Sequence, residues 1–112
     1  MNSIKDTLCL VYITVGSIKE ANFIGRILVE KELVACVNIL SDMISIYKWE
    51  GEIEEGVEVV IIAKTCKELI PRIIKTVKKI HSYTCPCILE LPILGGNSDF
   101  LSWIRTETLK NN

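Results

Sequence analysis

Apolar and polar positions along this chain change period several times, and each change marks an element. Leu8 to Val15 (L-C-L-V-Y-I-T-V) is almost wholly apolar and β-prone, the pattern of a central strand covered on both faces. Gly16 ends it. Ser17-Ile18-Lys19-Glu20 fits a capping box, in which Ser17 accepts from the Glu20 amide and Glu20 reaches back. The spacing then predicts a helix to about Glu32. Ala21, Phe23, Ile24, Ile27 and Leu28 form its apolar face, and Lys19, Glu20, Arg26, Glu30 and Lys31 its polar one.

From near Val34 the period changes to two and stays there. Val34 to Trp49 holds neither Pro nor Gly, so it reads as one long strand, with Ser41-Asp42 as a bulge or a bend. Beyond the break, Ile44, Ile46 and Lys48 alternate with Ser45, Tyr47 and Trp49. Glu50 to Gly56 reads as an acidic turn. Val57 to Lys64 is the returning strand, with Glu58, Val60, Ile62 and Lys64 on one face and Val57, Val59, Ile61 and Ala63 on the other. At about 3.3 Å per residue the outgoing strand spans roughly 50 Å. A domain of about 100 residues has a radius of gyration near 13 Å, so the hairpin projects beyond its own core. A long apolar strand edge invites pairing with other chains. Another copy of the same chain is the simplest cover, so the hairpin points to a homo-oligomer.

A second capping-box match, Thr65-Cys66-Lys67-Glu68, predicts another helix, with Ile70, Ile73, Ile74, Val77 and Ile80 inward and Arg72, Lys75, Lys78 and Lys79 mostly opposite. Pro71 fits only if the helix starts late enough to put it in the first turn. His81-Ser82-Tyr83-Thr84 ends the helix, and Cys85-Pro86-Cys87 leads into a short strand, Ile88 to Ile93. Gly95-Gly96 breaks it. Asn97 or Ser98 caps a last helix, Asp99 to Leu109, with Phe100, Trp103 and Ile104 inward. The order β-α-β-β-α-β plus a terminal helix is an α+β, ferredoxin-like sandwich over a single domain, residues 1–112.

These blocks resemble the CutA divalent-cation tolerance family. Leu28-Val29-Glu30-Lys31-Glu32-Leu33-Val34-Ala35-Cys36-Val37-Asn38 is similar to its L-V-E-x-x-L-x-A-C-x-N segment. Ser45 to Gly51, Glu58-Val59 with Lys64-Thr65, His81-x-Tyr83-x-x-Pro86, Leu91-Pro92 and Leu101-x-Trp103-Ile104 follow in order. The resemblance covers almost the whole chain. It implies a homotrimer in which the long strands of neighbouring subunits pack together, and a role tied to copper and other divalent metals without a defined enzymatic activity. The chain departs from the family pattern at two places. Ser82 stands where many relatives have Pro, and Thr14-Val15-Gly16 stands where some bacterial members carry a metal-binding Cys, so a metal role through that Cys does not transfer.

Composition narrows the partners. Net charge is −1, with 49% hydrophobic and 24% charged residues; neither nucleic acid nor an anionic membrane is favoured. The first six residues lack the apolar run of a secretory signal, which places the protein in the cytoplasm with its five cysteines as thiols.

Two candidate sites follow. Soft thiolates and imidazole suit copper and zinc, which singles out Cys85, Cys87 and His81. Cys85 and Cys87, separated by one residue in an extended segment, point the same way, as two-coordinate Cu(I) needs; the same cysteines also read as small apolar residues opening a strand. Cys9, Cys36 and Cys66 lie in or beside apolar runs, and no four-ligand zinc pattern is present. The second candidate is a cleft between subunits lined by Tyr47, Trp49, Glu58, Lys64, His81 and Tyr83. It reads as a site for a small anion, as in the ferredoxin-like PII signalling trimers, or as an interface network of buried aromatics and ion pairs. A scaffold that only assembles is a third reading. No nucleophile–base–acid set or G-x-S-x-G turn is present, so the chain does not read as an enzyme and calls for no organic cofactor.

Overall fold

The computed structural model describes residues 7–108. The expectation about a signal segment, and the last residue expected of the terminal helix, Leu109, lie outside them. The elements are β1 (Leu8–Val15), α1 (Ile18–Glu30), β2 (Cys36–Trp49), β3 (Glu52–Cys66), α2 (Ile70–Ile80), β4 (Ile88–Pro92) and α3 (Ser98–Glu107), with one 3₁₀ turn at Lys67–Leu69. The strands form one antiparallel sheet in the order β2-β3-β1-β4. This is the α+β, ferredoxin-like arrangement expected from the order of elements.

Alternation along the strands divides the sheet into two faces. Cys9, Val11, Ile13 and Val15 of β1 and Val59, Ile61 and Ala63 of β3 point to the face covered by α1 and α2. There they pack on Ala21, Ile24 and Leu28 of α1 and on Ile70, Ile73 and Val77 of α2. A smaller cluster of Leu8, Ala35, Cys66 and Ile104 seats α3 near the start of β1. Burying these aliphatic side chains, at roughly 1.5–3 kcal/mol each, is the main force holding the layers together.

The hairpin of β2 and β3 leaves this core, and the molecule measures 47 × 25 × 22 Å as a result. Leu40 pairs with Val60 but Met43 pairs with Glu58, so Ser41 and Asp42 face one residue across the ladder. Ser41-Asp42 is therefore a bulge, with Asp42 at φ 61°. It reverses the alternation, which brings Ile44 and Ile46 to the same side as Val37 and Ile39. Beyond the helices no described residue covers that side: Ile44, Ile46, Ile53 and Val57 are 64%, 67%, 73% and 65% exposed.

The acidic stretch is shorter as a turn than the sequence predicts. Trp49 pairs with Glu52, which leaves Glu50-Gly51 as a two-residue loop. Both have positive φ, 50° and 84°, the signature of a type I′ turn. Glu52 to Gly56 belongs to β3, because cross-strand pairing with Ser45 to Trp49 overrides the poor strand propensity of its acidic residues and glycine.

Three other expectations are corrected. Thr65 does not cap α2: it is buried in β3 and its hydroxyl donates to the Leu33 carbonyl at 2.6 Å. The helix starts at Ile70, which puts Pro71 in the first turn, where no backbone donor is lost. Phe23, Phe100 and Trp103 are not inward. Phe23 is exposed on α1, and Phe100 and Trp103 are exposed on α3, stacked on each other at 5.4 Å. Ser17 does cap α1, accepting from the Glu20 amide at 3.1 Å, and Asn97 caps α3 through Asp99 and Phe100.

Candidate functional site: a bonded cluster at the end of the first strand

The candidate residues gather where β1 ends, α1 begins and the chain leaves α2. His81 is buried there, and both ring nitrogens are engaged. Nε2 lies 2.8 Å from the Thr14 carbonyl, to which it donates, and Nδ1 accepts from the Tyr83 amide at 3.0 Å. These partners fix the Nε2–H tautomer. The stacked rings of His81 and Tyr83, with centroids 4.8 Å apart, hold the segment against the strand end.

Tyr83 reaches across to the root of the hairpin. Its hydroxyl donates to Glu58 Oε2 at 2.9 Å, and Ser45 Oγ donates to Glu58 Oε1 at 2.6 Å. Burial, the bond to Glu58 and the nearby carboxylates push the Tyr83 phenol up to about 12. Glu20 closes the other side. It accepts from the Ser82 amide at 2.8 Å, from the Ser82 hydroxyl at 3.0 Å and from the Gly16 amide at 3.4 Å, and its Oε2 lies 3.6 Å from His81 Nδ1. Burial pushes the Glu20 carboxyl up, but the Ser82 and Gly16 donors outweigh it and hold the group below its ordinary range.

The structure brings together Glu58, His81 and Tyr83 of the expected cleft. Tyr47 and Trp49 lie further out on the same face of the hairpin, both exposed. Lys64 is not with them in this chain. It sits six residues from Glu58 along β3, about 20 Å away, and its ammonium donates to Asn38 Oδ1. The group within one subunit is therefore acidic, with Glu20 and Glu58 flanking the phenol, and its field favours a cation over an anion.

Sequence reasoning missed Glu20, Ser45 and Ser82. Glu20 was hidden by its match to a capping box. Ser82 was visible only as a departure from the family's Pro, yet its amide and hydroxyl make both bonds that a Pro would abolish.

The thiol candidates lie beside this cluster. Cys85 is exposed and Cys87 half-buried, and the Cys87 carbonyl accepts from the Thr14 amide at 3.3 Å, which ties that residue to the end of β1. All five cysteines are free. Among the described residues no three His, Cys, Asp or Glu side chains converge on one point. With both nitrogens of His81 taken, the thiols of Cys85 and Cys87 are the accessible soft donors beside this cluster; Cys36, also half-buried, lies on β2. Cys9 is a different case: burial and its contact with the Glu90 carboxylate push its thiol up to about 11. Among the described residues no helix is long and apolar enough to cross a membrane.

The strand order, the projecting hairpin and the three helices define the chain as a ferredoxin-like domain whose long hairpin stands clear of its core. Residues 9–107 match the family model of the CutA1 divalent ion tolerance protein. The divalent-cation tolerance protein CutA of Thermus thermophilus is 43% identical over 99 residues, 88% of this chain and 96% of that protein. Its counterpart in Archaeoglobus fulgidus is 46% identical over 84% of this chain and 91% of its own length. A solved CutA1 structure from Thermus thermophilus superposes with a TM-score of 0.88 over 90% of this chain and 98% of that one. CutA1 from Oryza sativa gives 0.92 at 32% identity, over 97% of this chain and all of that one. The solved Archaeoglobus fulgidus protein, described as periplasmic, gives 0.87 at 43% identity over 89% of this chain and 97% of that one. The chain belongs to the CutA1 divalent ion tolerance family.

Proposed function

We propose that this protein works as a homotrimer that binds copper or a related divalent metal ion and catalyses no reaction. Its membership of a family described by divalent ion tolerance carries the reading. The exposed apolar side of the hairpin supports the assembly, since four large aliphatic side chains in one patch are a poor surface for a monomer. The acidic field around Glu20 and Glu58 supports a cation. Cys85 and Cys87, next to that cluster and free, are the donors of choice for a soft ion. Free thiols throughout support a reducing compartment, the cytoplasm, for this chain.

Metal stoichiometry of the reduced, anaerobically purified protein tests the reading. Cu(I) binding is expected in the wild type and is expected to be lost in the Cys85→Ser/Cys87→Ser double variant. Wild-type protein that takes up neither Cu(I) nor a divalent metal would sink it. The anion-cleft reading, as in PII-type trimers, requires a neighbouring subunit to supply the ammonium that Lys64 does not bring to Glu58 and Tyr83 here.

A further inference from the structure

The outer face of α2 departs from the ordinary charge rules of a helix. Residues 70–80 carry Arg72, Lys75, Lys78 and Lys79 and no acidic side chain. Among the described residues none of these four side chains has an ion pair or hydrogen bond. Lys78 and Lys79 suit the negative end of the helix dipole, but Arg72 sits in the first turn, at the positive end, without a carboxylate nearby on the helix. Lys75 repels Lys78 and Lys79 at spacings of three and four. A solvated helix face usually interleaves the two signs, and this one does not.

The same face has a floor. Pro71 and Ile74 lie between the cationic stems, and together with Lys75, Lys78 and Lys79 they line a shallow groove of about 400 Å³. Ile74 is half-buried, while Pro71 and the three lysines are exposed. The residues at 71, 74, 75 and 78, 79 fall on one side of the helix, with Ile74 bordering the buried stripe of Ile70, Ile73 and Val77 and the lysines turned away from it. The net charge of −1 hides this patch, because the balancing carboxylates lie elsewhere, four of them at Glu50, Glu52, Glu54 and Glu55 on the hairpin.

We propose that this groove binds a chain of phosphates, such as a tripolyphosphate or the phosphate chain of a nucleotide. A row of ammoniums rising about 1.5 Å per residue along the axis matches an extended polyanion better than a single small anion. A polyanion also relieves the repulsion among the lysines. The apolar floor gives a nucleoside base a place that inorganic polyphosphate would leave empty. This site uses no thiol and is independent of the metal reading.

Calorimetric titration with tripolyphosphate at low ionic strength tests it, with nucleoside triphosphate as a second arm. The expected result is saturable binding that weakens with salt. It should fall by at least about tenfold in Lys75→Gln/Lys78→Gln/Lys79→Gln, and partially in Lys75→Gln alone. The three positions tested are exposed, and far-UV circular dichroism checks that the variants remain folded. Tighter binding of the nucleotide than of tripolyphosphate assigns the floor to the base; equal binding assigns the site to the phosphates alone. Failure of tripolyphosphate to bind overturns the proposal. So does an equal heat with sulfate at matched ionic strength, equal affinity in the triple variant, or binding only to vesicles of anionic phospholipid.

Discussion

The Tyr83 hydroxyl donates to Glu58 Oε2 at 2.9 Å, and this bond joins the segment after α2 to the base of the projecting hairpin. Those two pieces of chain are 25 residues apart and share no backbone ladder. The hairpin is also anchored by the ladder of β3 on β1, by Val37 and Ile39 packed on the core and by the Tyr12 hydroxyl on Met43 Sδ, and the Tyr83 bond adds a further tie.

Titration should report this bond. The Tyr83 phenol is pushed up to about 12, above its unfolded value of 10.0. A raised folded value means that the neutral phenol contributes stability fully below pH 10 and loses it as pH rises toward 12. Alkaline unfolding should therefore steepen between these limits. Tyr83→Phe should abolish that slope and remove the late phenolate from an ultraviolet titration. Retention of a late-titrating phenolate in the variant would refute the assignment.

The hairpin turn makes a second prediction. Glu50 and Gly51 both sit at positive φ in a two-residue loop. A side chain at position 51 costs about 1–2 kcal/mol in that region, so Gly51→Ala should lower stability to denaturant by about that much. Glu50→Asn should raise it by several tenths, since Asn-Gly is the preferred pair. Denaturant midpoints of the two variants, moving in opposite directions, are the check.

Much of the fold is legible in the sequence because it is written in periodicity. Leu8–Val15 is a continuous apolar run and emerges as the central strand with those ends. Ser17 and Asn97 cap the helices expected of them. What fails is what depends on distant partners. Glu52 to Gly56 has turn composition, and pairing with Ser45 to Trp49 across the ladder makes it strand. Thr65 has the right spacing for a cap, but the Leu33 carbonyl, 32 residues away, takes its hydroxyl. The site divides in the same way. Glu58 and Tyr83 stood out by residue type, and the structure joins them. Lys64 shares a strand face with Glu58, but face alone does not carry distance along the strand.

Assembly depends on the bulge. By reversing alternation at Ser41-Asp42 it collects Ile44, Ile46, Ile53 and Val57 on one side of the hairpin. A charge placed there should block association with little cost to the isolated fold, because nothing in the same chain packs on it. If the proposed trimer forms through this face, wild type should sediment as three chains and Ile46→Asp as one. Far-UV circular dichroism should stay close to wild type. An unchanged sedimentation mass in Ile46→Asp would remove this face from the interface.

Ser82 offers the sharpest test of the cluster, because the family's own alternative residue is the informative substitution. Its amide and hydroxyl both donate to Glu20, at 2.8 and 3.0 Å. Pro at this position keeps neither donor. The carboxylate would then retain only the long Gly16 contact, so Ser82→Pro should destabilise the protein by about 1–2 kcal/mol at neutral pH. The pH dependence should change with it. Glu20 is held below the ordinary carboxyl value of 4.5 in the folded state. Its contribution is therefore present above that pH and is lost as pH falls through the folded value. Wild type should lose stability below pH 4.5 more steeply than Ser82→Pro, and the two curves should converge in acid. Parallel curves would mean that Glu20 is not held by Ser82 in solution. A shallower variant curve with the neutral-pH loss intact would show that the hydroxyl and amide of one serine set the ionisation of this cluster.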